Sequence, residues 1–146
     1  MPIILSSENV YTAGEMFYRA LKDYCRQAKY NRVNTCNPIG GYFTSMELFI
    51  EAPTLPQRFF SLDSTGSDCR PAGDYLVSYV QGYYGQMGDA PQKMAAFAQE
   101  NGLVFEGPVY GVYLLDDICM PDSAQYLAQV SVRVRKHKYA WQAVNE

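Results

Sequence analysis

Apolar and polar positions recur along this chain with two different periods, and the switches between the periods mark its elements. Pro2 to Leu5 is a short apolar run that fits a first strand. From Tyr11 to about Lys29 the period is helical: Met16, Phe17, Ala20, Leu21 and Tyr24 fall three and four residues apart, and Thr12 with Glu15 forms a T-x-x-E capping box. Pro38-Ile39-Gly40-Gly41 breaks the chain, and Tyr42 to Ile50 then reads as a strand. Pro53 and Pro56 mark a loop. Arg58 to Leu62 reads as a further strand, closed by the turn residues Asp63-Ser64-Thr65-Gly66.

The pattern then starts again. Pro71-Ala72-Gly73 is a turn, and Asp74 to Gln81 is a strand rich in Tyr and Val. After the glycine-punctuated stretch Gly82 to Gly88, Asp89 is placed as an N-cap and Pro91 in the first turn of a helix running to about Glu100. Met94, Ala95, Phe97 and Ala98 supply its buried stripe, and Asn101-Gly102 closes it with residues that tolerate a left-handed backbone. Val109 to Leu115 and Gln125 to Val134 read as two more strands, separated by a turn around Pro121-Asp122.

The order is strand, helix, strand, strand, twice over. It predicts an α+β domain of duplicated β-α-β-β halves, about residues 1–66 and 67–146, related by a pseudo-twofold axis. An antiparallel sheet would be flanked by two helices, with a central ligand cleft between the halves. The repeat is one of element order and not of residue identity.

Composition sharpens this picture at one point. Thirteen tyrosines stand against one tryptophan and seven phenylalanines. A core has no use for such an excess, because every buried phenol needs a hydrogen-bond partner, whereas concave sites for aromatic or cationic ligands do use it. The length suits one domain, and 48% hydrophobic residues argue against disorder. The net charge of −3 attracts no phosphate backbone; Arg133, Arg135, Lys136 and Lys138 form the one basic run, and part of it alternates as a solvated sheet face does. Direct nucleic-acid binding and a membrane span are therefore not expected. Cys25, Cys36, Cys69 and Cys119 lack any C-x-x-C spacing, and His137 has no neighbours suited to a metal site, so thiols in a reducing cytoplasm and no cofactor are expected.

One ordered set of motifs points to a family. Pro71-Ala72-Gly73-Asp74-Tyr75, Gly82-Tyr83-Tyr84, the helix ending at Asn101-Gly102-Leu103, Gly107-Pro108-Val109-Tyr110 and the closing strand after Tyr126 together resemble the GyrI-like family. The first half fits through its helix and the Ile39-Gly40-Gly41 strand opening. That family includes the effector-binding domains of MerR- and AraC-type bacterial transcription regulators, and the multidrug sensors of the MerR group are the most similar.

The resemblance implies the duplicated fold and a cleft for hydrophobic, often cationic and aromatic, compounds, lined by tyrosines around a buried carboxylate. Carried onto this chain, it implies ligand contacts at Phe17, Tyr18, Ile39, Phe43, Glu47, Tyr83, Met87, Gly111, Tyr113 and Tyr126. The carboxylate of the fifth strand falls on Gly111, which removes the charge or marks a close backbone approach. Glu47, placed on the second strand, or Glu15 on the helix could replace it from the other half. Tyr75, Tyr79, Tyr84 and Tyr110 are expected to pack or to sit at strand ends.

The implied function is small-molecule sensing, as the ligand domain of a regulator or as a stand-alone relative. The winged helix-turn-helix and long dimerising helix of MerR-type regulators have no counterpart in these residues, so a DNA-binding domain in a parent protein, or a homodimer, is left open. A gyrase-inhibitor-like protein-binding module is the alternative. A hydrolase on the same fold is disfavoured, because no carboxylate or imidazole stands where it could activate water, and no G-x-S-x-G, metal-ligand pair or phosphate loop occurs.

Overall fold

Seven strands and three helices are described in the computed structural model, which places residues 2–6, 16–31, 39–83, 85–116 and 119–137, with the side chains of the first helix described from Arg19. In chain order they are β1 (Pro2–Leu5), α1 (Met16–Tyr30), β2 (Ile39–Phe43), α2 (Met46–Glu51), β3 (Arg58–Leu62), β4 (Asp68–Cys69), β5 (Asp74–Gln81), α3 (Ala90–Glu100), β6 (Leu103–Leu115) and β7 (Leu127–Lys136). The strands form one curled antiparallel sheet in the order β4-β1-β3-β2-β6-β7-β5. At its centre β2 runs against β6, with Gly41 opposite Gly111 and Phe43 opposite Val109.

Register decides which side chains meet the helices, because residues two apart in a strand share a face. Ile39, Gly41 and Phe43 of β2 share a face with Val109, Gly111 and Tyr113 of β6, and with Ala128, Val130 and Val132 of β7. All three helices pack on this side. Tyr24 and Ala28 of α1 bury against Phe59 of β3, with Ile39 at the margin. Met46 and Phe49 of α2 and Met94 of α3 bury against Phe43, Val109, Val130 and Val132.

The opposite face carries Ile3, Phe60 and Tyr110, with Tyr42, Tyr75 and Val112 packed around them. There the Phe60 and Tyr42 rings meet Tyr110 edge to face at 5.6 and 5.7 Å, and the Arg70 guanidinium lies 4.1 Å above the Tyr75 ring. Tyr75 and Tyr110 thus pack on the face away from the helices, as expected of them; Tyr79 is mostly exposed, and Tyr84 lies outside the described residues.

The second half of the sequence reading holds closely, since β5 and α3 have the expected bounds. Four points differ. The expected strand from Tyr42 to Ile50 is instead the end of β2 followed by α2, which adds a third helix to the two foreseen. The Ser45 hydroxyl accepts a hydrogen bond from the Leu48 N–H, capping the helix, and Met46, Phe49 and Ile50 then fall on one helical face. β2 also starts at Ile39, so Gly40 and Gly41 lie within the strand and do not break it. The Phe60 ring sits over its cross-strand partner Gly40, where any Cβ would collide with it.

β6 begins at Leu103, six residues before the expected Val109, and passes through Gly107-Pro108 by a bulge. Gly107 takes a positive φ of 74° there, a conformation that glycine adopts without cost. In α3 the buried stripe is Ala90, Pro91, Met94 and Ala98, and Phe97 is 49% exposed. Asp89 makes no side-chain cap; its carboxylate pairs with Lys93 at 3.1 Å. The expected capping box at Thr12 and Glu15 lies outside the described residues.

Arg133 and Arg135 do lie on one sheet face, where both approach the Glu106 carboxylate, at 3.9 and 2.7 Å. Among the described residues no helix is long and apolar enough to cross a membrane.

Candidate ligand-binding cleft

Two separate packings cover the helix-bearing face: α1 over β2 and β3, and α2 with α3 over β5, β6 and β7. Between them lies the central strand pair, and there the chain has glycine on both strands. Pro56 stands against Gly41, 3.2 Å from where a Cβ would lie. Gly111 is different. Among the described atoms, a Cβ on it would meet only the Gly41 carbonyl oxygen, at 3.9 Å. Among the described residues, the floor beside Gly111 is therefore bare of side chains on the side that faces the helices.

Tyr113 stands two residues along β6 on the same face, half-buried. Its hydroxyl accepts a hydrogen bond from the Gly85 N–H at 2.7 Å and donates to the Tyr83 carbonyl at 3.3 Å. Burial raises the Tyr113 pKa, and the Gly85 hydrogen bond offsets part of that rise. The phenol is thus neutral and fixed, tying β6 to the loop after β5. Tyr83 stacks on Tyr126 at 6.2 Å between ring centres, and Gly82 N–H donates to the Tyr126 carbonyl, so three tyrosines converge at one end of the floor.

Beneath α1 is a buried polar group that sequence reading took only as packing. Tyr24 of α1 is buried, and its hydroxyl has no well-formed hydrogen bond among the described residues. Burial raises its pKa; the nearby Ser61 hydroxyl, itself fully buried, lowers it only in part. Ser61 lies opposite Ile39 in the sheet, on the face that α1 covers. Gly41, paired to Gly111, was likewise read only as part of a strand opening. Its signal was the adjacent pair Gly40-Gly41, of which one glycine makes room for Phe60 and the other for Pro56.

The ten residues expected to contact ligand separate into groups. Ile39, Gly111 and Tyr113 share the floor's face, and Tyr83 and Tyr126 join Tyr113 at its end. Phe43 and Met87 are instead fully packed into the core beneath α2 and α3, where Phe43 meets Phe49 edge to face at 4.9 Å. Glu47 is on no strand: it occupies the exposed first turn of α2, where its charge favours the helix N-terminus and faces water. It does not stand in for the carboxylate absent at Gly111. Phe17 and Tyr18 belong to α1, but their side chains, like Glu15 as a whole, lie outside the described residues.

The arrangement is thus an apolar floor with the neutral Tyr113 phenol fixed at one end. Among the described residues no cluster of three His, Cys, Asp or Glu side chains could hold a metal ion.

The fold is that of the EcmrR C-terminal domain. The likeness to the crystal structure of that domain, from a MerR-family regulator, covers 93% of this chain and 94% of the other, with a TM-score of 0.64. Sequence identity is 12%, so the similarity is one of fold. No family model and no curated protein matches the sequence.

Proposed function

We propose that this chain is an effector-binding domain that takes a hydrophobic aromatic molecule, neutral in preference to cationic, into the cleft between α1 and the α2–α3 layer. The observation that carries the reading is the space that the described residues leave at Gly111 on the helix-bearing face, with the fixed Tyr113 phenol two residues along the same strand. A ligand there would replace water on an apolar floor, with the face of Tyr113 alongside it. With no carboxylate at Gly111 and with Glu47 turned outward, no carboxylate among the described residues is placed at the floor to favour a cation, which supports a neutral ligand.

The likeness to a regulator's C-terminal domain supports a role in transcription regulation, with this domain as the ligand sensor of a bacterial regulator or as a stand-alone relative. It also supports a duplicated architecture. Read inward from the two sides, the sheet runs β1-β3-β2 and β5-β7-β6, the same order of first, third and second strand in each half, with β4 added outside β1. Such halves meet at β2 and β6, where the glycine pair stands.

Thermal-shift screening of matched neutral and cationic aromatic dyes tests the proposal. Neutral dyes are expected to raise the melting temperature, and Tyr113→Ala to abolish the shift. If no dye stabilises the protein, or if Tyr113→Ala leaves every shift unchanged, the ligand-binding assignment fails.

A further inference from the structure

The two edges of the sheet are guarded very differently. Edge strands expose backbone hydrogen-bonding groups, and soluble proteins blunt them by shortness, proline, bulges or charge. β4, at one edge, has two residues. β5, at the other, has eight, Asp74-Tyr-Leu-Val-Ser-Tyr-Val-Gln81, with no proline and a single charge at its first position. Its pairing with β7 runs from Asp74 to Gln81 without a register break, so no bulge turns the edge away.

The same strand carries exposed apolar side chains: Val77 is 40% and Tyr79 60% exposed, both on the face that bears no helix. On the helix-bearing side, an open groove of about 400 Å³ between Ser78–Gln81 and the start of α3 leaves the strand accessible.

We infer that β5 is a dimerisation edge, pairing antiparallel with β5 of a second copy of this chain. The strand is self-complementary in one register. A two-fold axis normal to the sheet pairs only residues of the same face, and when it passes through Ser78 it sets Val77 opposite Tyr79 of the second copy, and Tyr79 opposite its Val77. Each exposed apolar side chain then covers the other, as an aromatic and β-branched cross-strand pair, twice. Leu76 meets Val80 on the helix-bearing face, Tyr75 meets Gln81, and no like charges oppose. The two seven-stranded sheets become one. This inference goes beyond the ligand-binding reading and does not depend on it.

Sedimentation velocity over a concentration series, with the chain alone, tests both the dimer and its register. Val77→Glu and Tyr79→Lys each change an exposed side chain, and circular dichroism checks that both variants fold. Wild type is expected to dimerise, and each single variant to weaken dimerisation at least about tenfold by placing a charge against an apolar partner. The double variant Val77→Glu/Tyr79→Lys is expected to recover the dimer, because the axis through Ser78 sets Glu against Lys twice. A monomeric wild type, or folded single variants that dimerise as tightly as wild type, overturns the proposal. Failure of the double variant to recover overturns the register, since an axis through Val77 would set the new glutamates against each other.

Discussion

Placing a carboxylate at Gly111 should convert the cleft's preference from neutral to cationic ligands. The backbone there is extended, and among the described atoms a Cβ meets only the Gly41 carbonyl oxygen at 3.9 Å, an ordinary contact, so the first carbon of a Gly111→Glu side chain does not strain the strand pair. Replacing glycine within a strand recovers about 0.5–1 kcal/mol of backbone entropy. Setting a carboxylate on a partly buried floor without a partner costs about 1–3 kcal/mol. The net loss of about 0–2.5 kcal/mol corresponds to a fall in melting temperature of at most roughly 10 °C for a domain of this size.

The gain appears only with a cationic ligand. Charge pairing in a desolvated cleft, with the Tyr113 face alongside, should tighten binding by about 1.4–2.8 kcal/mol, or about 10- to 100-fold. Isothermal titration of a quaternary arylammonium dye and its neutral isostere against wild type, Gly111→Glu and Gly111→Gln measures it. The glutamine variant fills the same space without charge and should show no cation gain. Equal tightening for both dyes, or the same effect from glutamine, would refute the reasoning.

Removing only the Tyr113 hydroxyl, in Tyr113→Phe, leaves the Gly85 N–H without its acceptor; a loss of about 1 kcal/mol in urea denaturation and faster hydrogen exchange at Gly85 are expected. Gly40→Ala should cost about 1–3 kcal/mol, because its Cβ would collide with the Phe60 ring and lie 2.9 Å from the Gly111 carbonyl oxygen, and the double variant Gly40→Ala/Phe60→Leu should recover only part of that in the same measurement. Tyr110 has its pKa pushed up to about 12, chiefly by burial and then by the neighbouring Tyr75 and Tyr42. A raised folded pKa means stability that is fully present below the unfolded value of about 10 and lost as pH rises through about 12. Tyr110→Phe should therefore keep more of its neutral-pH stability at about pH 11 than wild type does, measured by urea midpoints at both pH values.

The sequence carried the second half of the fold almost entirely, because its elements are separated by strong punctuation. Pro71-Ala72-Gly73 opens β5, Pro91 lies in the first turn of α3, and Asn101-Gly102 ends that helix. The first half misled at Tyr42 to Ile50, whose aromatic and branched residues suit a strand, while a single Ser45 cap and the 46-49-50 spacing make the latter part helical. A six-residue helix offers too few periods to outweigh propensity.

In the cleft, Gly111 and Tyr113 came from the family resemblance, and strand alternation then puts both on one face. Phe43 shares that face too, yet α2 lands on it, and a helix not foreseen cannot be counted as cover. The same missing helix put Glu47 on a strand. Tyr24 was seen as helical packing, and only the packed structure shows that its hydroxyl reaches no firm partner.

The central claim, that ligand occupies the space at Gly111, is tested most directly by filling that space without charge. Gly111→Leu sets an apolar side chain on the cleft floor, where its Cβ meets only the Gly41 carbonyl oxygen among the described atoms, at 3.9 Å. Titration calorimetry with the neutral dye that most stabilises wild type should show at least about a tenfold loss of affinity in Gly111→Leu, with its melting temperature within a few degrees of wild type. Unchanged affinity in the folded variant would contradict the account and place the ligand elsewhere.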